Sequence, residues 1–357
     1  DTERAVATAF SSPLAARFAR VDPIPVGSGC IAQVHLGETV EGVPVAIKVL
    51  HPGVERLAAM DLRLLRGAAQ AVEWVPLPGI RWLALSESVE QFAAFMGRQL
   101  DLRHEAANLS RFRRNFEHCR GPEAIEFPRP LEREGLVSSR VLVETAVQGE
   151  CLSTLLHGAR SRIGEGGIFH RGMIGLGKER DAEFTRRGLN AFFKMIFTDN
   201  FVHGDLHPGN IMLSAPEGKP LVISFVDAGL AVELSERDRR NFKSFFRALG
   251  IGDGRLAAKL MMECASEQHC THPEAFQAGV ERIVRGVGLG GEGSFNLEAL
   301  KIGDVLIEVT SLIRQHKVKV EPNYTTLFTS IIILEGLGRQ LNPSLDLFEF
   351  ALPLLHN

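Results

Sequence analysis

Paired cysteines, a basic excess and a membrane-length apolar run are all missing from this chain. Its five cysteines, Cys30, Cys119, Cys151, Cys264 and Cys270, form no Cys-x-x-Cys pair. An odd, scattered count argues against a disulfide framework or a cysteine zinc site and reads as reduced thiols. The net charge is −3, so no bulk attraction draws nucleic acid, which is not expected as a partner. No stretch reaches the roughly 18 apolar residues that span a bilayer. The nearest, Leu327 to Leu334, runs into Glu335 and Gly336 and reads as a buried helix. No basic or apolar leader follows Asp1. The expectation is therefore a trimmed or mature chain whose targeting or membrane segment would lie upstream.

What is present is ordinary globular composition. The chain has 357 residues, 45% of them hydrophobic and 23% charged, which suits one large two-lobed domain or two domains. Residues 3–20 carry helical spacing that stops at Pro23 and Pro25. Val26 to Leu36 reads as strand, glycine turn and strand, and a hairpin at Glu41-Gly42 leads into a further strand, Val43 to Leu50. Helices are predicted over 53–75 and 86–117, and strands over Phe127 to Leu131 and Arg140 to Val147, with a hinge at Gln148-Gly149. Residues 158–180, rich in Gly and Arg without a period, are predicted as a flexible insertion. A helix over 181–199 places Leu189, Phe192, Phe193 and Ile196 on one face. Beyond residue 229 the spacing predicts helices near 235–249, 254–266, 274–287, 297–316, 324–340 and 345–355. Strand-rich sequence followed by helical sequence predicts an α+β protein of two lobes, 1–147 and 148–357.

The chemistry concentrates in Phe201-Val-His-Gly-Asp-Leu-His-Pro-Gly-Asn-Ile-Met-Leu213. Asp205 and Asn210 lie five residues apart, with Pro208 and Gly209 bending the chain between them. A second acid, Asp227, ends the strand-like run Leu221-Val-Ile-Ser-Phe-Val-Asp-Ala-Gly229. Nucleotide phosphates need a divalent cation with oxygen ligands. An Asp that orients a hydroxyl, with an Asn and a second Asp on the metal, is the kinase-type set. Asp205 and Lys48 are accordingly the catalytic candidates, and Asn210 and Asp227 the metal ligands. The nucleotide candidates are Val26, Gly27, Ser28, Gly29, Cys30, Ala32 and Val34 around the glycine turn, Lys48 on its strand, and Glu144 and Val147 near the hinge. Glycines there let backbone approach a phosphate with no Cβ in the way. Turn and lysine are weak signals alone; in one sequence order with the two acidic motifs they are strong. The lysine needs an acid from a neighbouring helix, and spacing leaves Glu87, Glu90, Asp101 and Glu105 open. His203 and His207 flank Asp205, but no cysteine or third histidine is near in sequence, so structural roles are expected. Cys30 is expected as a small buried residue, and Phe242, Phe245 and Phe246 as core.

Lys48-Val-Leu-His-Pro-Gly-Val54, Asp101-x-x-x-Glu105-Ala-Ala107, His203-Gly-Asp-Leu-His-Pro-Gly-Asn210 and Asp227-Ala-Gly229 resemble the UbiB, or AarF-domain-containing, atypical kinases. Leu142-Val-Glu-Thr145, Lys194-Met-Ile-Phe-x-Asp-Asn-Phe-Val-His203, His316-Lys-Val-Lys319 and Leu334-Glu-Gly-Leu-Gly-Arg339 look most like the AarF-domain-containing kinase 2 branch. The resemblance spans nearly the whole chain. It implies a bilobal protein-kinase-like fold with a small strand-rich N-lobe, extra helices and an all-helical C-lobe, which binds Mg²⁺ with ATP or ADP in a cleft between the halves. It also implies a mitochondrial, inner-membrane-associated protein of ubiquinone or lipid metabolism, whose partners are a lipid surface or quinone-biosynthesis proteins. By the same resemblance Lys48 contacts the α- and β-phosphates and Glu105 is its partner.

Three features depart from the family. Gly27-Ser-Gly-Cys30 stands where the family has an alanine-rich loop, Gln99-Leu-Asp101 where it has Glu-x-Asp, and the Lys-x-Gly-Gln segment does not occur in these residues. The family's nucleotide preference and its autoinhibitory lid are therefore not carried over. Two other classes share parts of the pattern. Small-molecule phosphotransferases of the aminoglycoside or choline kinase kind share His-Gly-Asp-Leu-His, yet Asp227 is followed here by Ala-Gly, not by a bulky aromatic and a further acid. A nucleotide-gated lipid-binding module with little catalysis would use the same binding residues. No Ala-Pro-Glu follows Asp227, which argues against an extended peptide substrate.

Overall fold

The computed structural model describes residues 2–74, 85–119, 121, 124–163, 177–215, 218–263, 265, 267–268, 270–286, 302–319, 322–342, 345 and 347–355. The chain forms two units. The first comprises Asp1–Arg114, Phe127–Val147 and Asp227–Leu230, and the second Asn115–Glu126, Gln148–Val226 and Ala231–Asn357.

Alternating apolar side chains build the first unit's sheet. It contains β1 (Phe18–Val21), β2 (Gly27–Ser28), β3 (Ala32–Thr39), β4 (Pro44–Leu50) and, after β5 (Ile125–Glu126) of the second unit, β6 (Val141–Thr145). The order is β1-β3-β4-β6, with β2 also on β3, and each pairing is antiparallel. Gly42, at φ +79°, makes the turn between β3 and β4, a conformation that side chains with a Cβ rarely adopt. One sheet face presents Val45, Ile47, Val49, Val141 and Val143 to Val6 of α1 (Thr2–Phe10), Phe18, Leu131 and Leu136. Strand alternation puts Lys48 on the opposite face, in one rung with Val34 and Leu142. The unit adds α2 (Val54–Trp74), which packs on α3 (Leu85–Gln99), and α4 (Leu102–Asn115).

Three expectations change here. The helix predicted over 3–20 ends at Phe10, because Ser11 turns left-handed and β1 begins at Phe18 to pair with β3. The helix predicted over 86–117 is two helices. Asp101 interrupts it, accepting the Arg103 N–H at 3.0 Å as an N-cap, while the Leu102 N–H donates to the Ser139 carbonyl at 3.0 Å. Phe127 to Leu131 is no regular strand: Pro128 and Pro130 lack N–H donors, and only a bridge from Pro130 to Glu144 forms.

The second unit is mostly helical around short ladders. Strands β5, β7 (Glu150–Cys151), β9 (Ile211–Ser214) and β10 (Val222–Phe225) form a sheet in the order β5-β10-β9-β7. β8 (Val202–His203) pairs with β11 (Ala231–Val232), and β12 (Glu267–Gln268) with β13 (Val318–Lys319). Of these strands only β10 falls on a run read as strand-like from sequence; the other short ladders were not expected in a lobe otherwise predicted as helix. The helices are α5 (Leu152–Ile163), α6 (Lys178–Phe193), α7 (Glu236–Gly250), α8 (Gly254–Glu263), α9 (Pro273–Gly286), α10 (Ile302–Gln315), α11 (Pro322–Leu341) and α12 (Leu347–Leu355). Of the predicted insertion, 158–163 and 178–180 are helical, while 164–176 lie outside the described residues. α6 runs into a wide π-type turn, Lys194–Asp199, which stops at Asn200 in the left-handed region, φ +50°. Phe193, Phe197, Phe242, Phe245, Phe246 and Phe328 stack into one aromatic core, with Phe242 and Phe246 centroids 4.9 Å apart.

Candidate functional site

In the first unit a buried cation is held between acids from elements far apart in sequence. The Lys48 ammonium on β4 donates to Glu105 at 2.9 Å and to Asp227 at 2.8 Å. Glu105 reaches it from the first turn of α4, which the Asp101 cap begins. Only 14% of the Lys48 side chain and 4% of the Glu105 side chain are exposed, against 49% for Asp227. Burial pulls the Lys48 proton affinity down, but Glu105 and Asp227 more than offset it, so the group stays charged. Burial pushes the Glu105 carboxyl up and Lys48 pulls it back, leaving it at about 7; Asp227 adds to the rise by charge and by a shared hydrogen bond. Asp227 sits at φ +56°. Its loop is tied down by Asn108, one turn beyond Glu105 on α4, whose amide donates to the Ala228 carbonyl at 2.8 Å. Of the other acids weighed for the lysine, Glu90 pairs with Arg66, Asp101 with Arg103, and Glu87 accepts from Gln91.

The glycine turn lies at the edge of the same sheet face. Val26, Gly27, Ser28, Gly29 and Cys30 are exposed, Ala32 is buried and Val34 half-buried. Cys30 is thus not the buried residue expected, because the turn carries it away from the sheet. A Cβ on Gly27 would meet nothing within 4 Å and one on Gly29 only the Ala32 carbonyl at 3.9 Å, so space beside the turn is open. His51, after β4, holds the turn from below: its Nε2 hydrogen-bonds the Gly29 carbonyl at 2.9 Å. Glu144 on β6 is buried on the Lys48 face, and Val147 is half-buried just past that strand.

In the second unit backbone bonds shape the Asp205 loop. His203 is fully buried; its Nε2–H donates to the Val226 carbonyl at 3.1 Å, and its Nδ1 accepts the Asp205 N–H at 3.3 Å. His207 Nδ1 accepts from the Gly209 N–H at 2.9 Å. Both histidines therefore serve the backbone. The Asn210 amide nitrogen donates to the Asp205 carbonyl at 2.9 Å, which leaves its oxygen as the atom able to ligate a cation. The Asp205 side chain is 58% exposed, 3.8 Å from His207 Nε2. Asn200 locks the strand before this loop to the strand after Asp227, exchanging hydrogen bonds of 2.8 and 3.2 Å with the Leu234 carbonyl and N–H.

Residues 1–261 match the ABC1 atypical kinase-like domain, nearly three quarters of the chain, and residues 294–346 match the UbiB helical domain. The chain belongs to the ABC1/UbiB atypical kinase family. An ABC1 family protein of Saccharomyces cerevisiae, named as mitochondrial, is 31% identical over 397 residues and matches 95% of this chain and 57% of its own length. An Aeromonas hydrophila relative named "Probable protein kinase UbiB" is 31% identical over 350 residues, matching 95% of this chain and 58% of its own. The chain thus spans little more than half the length of these relatives. The solved structure of Rv3197 with erythromycin from Mycobacterium tuberculosis superposes with a TM-score of 0.60 at 17% identity, covering 98% of this chain and 84% of that one, and shares the fold.

Among the described residues, no helix is long and apolar enough to cross a membrane, and no three His, Cys, Asp or Glu side chains are grouped to hold a metal alone. Asn210 in the second unit and Asp227 in the first each offer a side-chain oxygen, the donor type that a hard cation such as Mg²⁺ takes. Asn108, His51 and Asn200 were not singled out from sequence. Asn108 had a readable signal, since it lies three residues after Glu105 on a helix and so shares its face. Asn200 had another, as a left-handed asparagine where a helix stops.

Proposed function

We propose that this chain binds ATP or ADP with Mg²⁺ and acts as an atypical kinase or ATPase. The observation that carries the reading is Lys48, largely shielded from solvent, charged and held by Glu105 and Asp227. A lysine kept charged beside an open glycine turn is a receptor for phosphate oxygens. In this reading the first unit supplies Lys48, Glu105, Glu144, Val147, Asp227 and the Val26 to Val34 turn, while the second supplies Asp205 and Asn210. Asn210 and Asp227 would hold the cation, whose charge would offset that of the phosphates. Lys48 neutralises the remainder, and Asp205 orients an attacking hydroxyl or water and takes its proton. Positioning and charge carry such a reaction, because little covalent work falls to the protein. The yeast relatives' names support a mitochondrial setting; the place in ubiquinone or lipid metabolism, with an inner-membrane lipid surface or quinone-biosynthesis proteins as partners, rests on the family resemblance alone.

Two substitutions test the reading. Asp227→Asn abolishes stabilisation by MgATP in a thermal-shift assay; an unchanged shift refutes the metal assignment. Asp205→Asn keeps that stabilisation but lowers ATP turnover by roughly 10²- to 10⁴-fold, the scale of general-base catalysis. Unaltered hydrolysis removes Asp205 from the chemistry.

A further inference from the structure

We propose that Glu144 determines nucleotide specificity by hydrogen-bonding the nucleobase edge, taking an acceptor and a donor side by side, as adenine offers at N1 and its 6-amino group. This rests on the nucleotide reading above and deepens it. Glu144 is 8% exposed, and its Oε2 has no hydrogen-bond partner among the described residues. A buried carboxyl left unpaired is costly, and a ligand that pairs it recovers that cost.

Register says which part of a nucleotide reaches it. Glu144 stands opposite Ala46, and Leu142 opposite Lys48, on one face of the sheet. Val34 stands opposite Lys48 on the other side, and the rung Ala32 to Leu50 borders the glycine turn. Along that face the order is glycine turn, Lys48, Glu144, with about 7 Å per two residues of strand. Phosphates held at the turn and Lys48 direct the nucleoside toward Glu144. The charged groups around it are Lys48 on β4, Glu105 on α4, and Asp227. Burial first, then Glu105, push the Glu144 carboxyl up to about 8, with Asp227 adding and Lys48 opposing. At neutral pH it therefore carries an O–H, and a neutral carboxyl donates through one oxygen while accepting through the other. Its amide isostere does the same.

The test compares MgATP, magnesium tripolyphosphate, and the triphosphate of purine riboside, which lacks the 6-amino group, on wild type, Glu144→Gln and Glu144→Leu. Wild type and the Gln variant are expected to bind MgATP within about 3-fold of each other. The Leu variant loses about 10- to 100-fold for MgATP and nothing for tripolyphosphate, the scale of discrimination by a buried polar pair. Wild type prefers ATP to the purine analogue, and the Leu variant does not. Equal loss for ATP and tripolyphosphate, or no loss for either, overturns the proposal. Should the Leu variant fail to fold, an absent preference for ATP over the purine analogue in wild type and the Gln variant overturns it equally. Wild type that binds neither ATP nor tripolyphosphate overturns the nucleotide reading itself.

Discussion

Around Lys48 the first unit holds its chemistry with charge; around Asp205 the second unit holds its chemistry with backbone. Lys48 and Glu105 are buried, Asp227 closes the pair, and each group's protonation depends on its neighbours. Asp205 is exposed, and its position comes from the His203, Asn210 and Asn200 bonds to main-chain atoms. A charge-held cluster answers to pH and to the loss of one charge. A backbone-held loop tolerates changes at its tip and depends on its clamps.

The largest effect expected is from Lys48→Met, which strips the buried acids of their counter-charge. It costs about 3 kcal/mol, the scale for breaking a buried pair, and abolishes nucleotide-dependent stabilisation. Thermal unfolding with and without MgATP checks it, and an unchanged midpoint would mean that charge does not hold the cluster. Next is Asn200→Ala, which orphans the Leu234 carbonyl and N–H and removes an asparagine from a left-handed position. It costs about 1–3 kcal/mol by denaturant midpoint, and equal stability would deny the loop its clamp. The most gradual effect is a drift with pH, spread over several pH units. Glu105 and Glu144 have folded-state values of about 7 and about 8 against 4.5 in the open chain. The folded state binds more protons across that window, so stability is greatest below 4.5 for these groups and declines as pH rises to about 8. Glu144→Gln removes its share of the decline, so its advantage in stability over wild type grows as pH rises from 5.5 to 8.5. Parallel melting curves at pH 5.5 and 8.5 would contradict this.

The glycine turn, the lysine strand and the two acidic motifs were legible because each is local and they follow one order. Ending a strand-like run with Asp227 was enough to place an acid at its tip. Choosing Glu105 over Glu90 was beyond spacing, because both occupy helix positions and only tertiary contact distinguishes an acid facing Lys48 from one facing Arg66. The break at Asp101 was missed because neither Gly nor Pro marks it, although an aspartate opening a helical run is itself an N-cap signal. Phe18 to Val21 was misread as helix because pairing with β3, which is non-local, overrides a weak local period. Glu144 was legible as a position near the hinge but not as an unpaired acid, since that follows from burial alone.

The wide turn at Lys194–Asp199 accommodates one residue more than an α-helical turn would. Within it Lys194 spans the turn, its ammonium bonded to the Asp199 carboxylate at 2.7 Å and to the Asn115 carbonyl at 2.8 Å. Deleting any residue of the segment would restore the ordinary winding and swing everything downstream by about 100°, starting with Asn200 and His203. The segment therefore acts as a ruler: it can absorb exchanges of side chain but not a change of length.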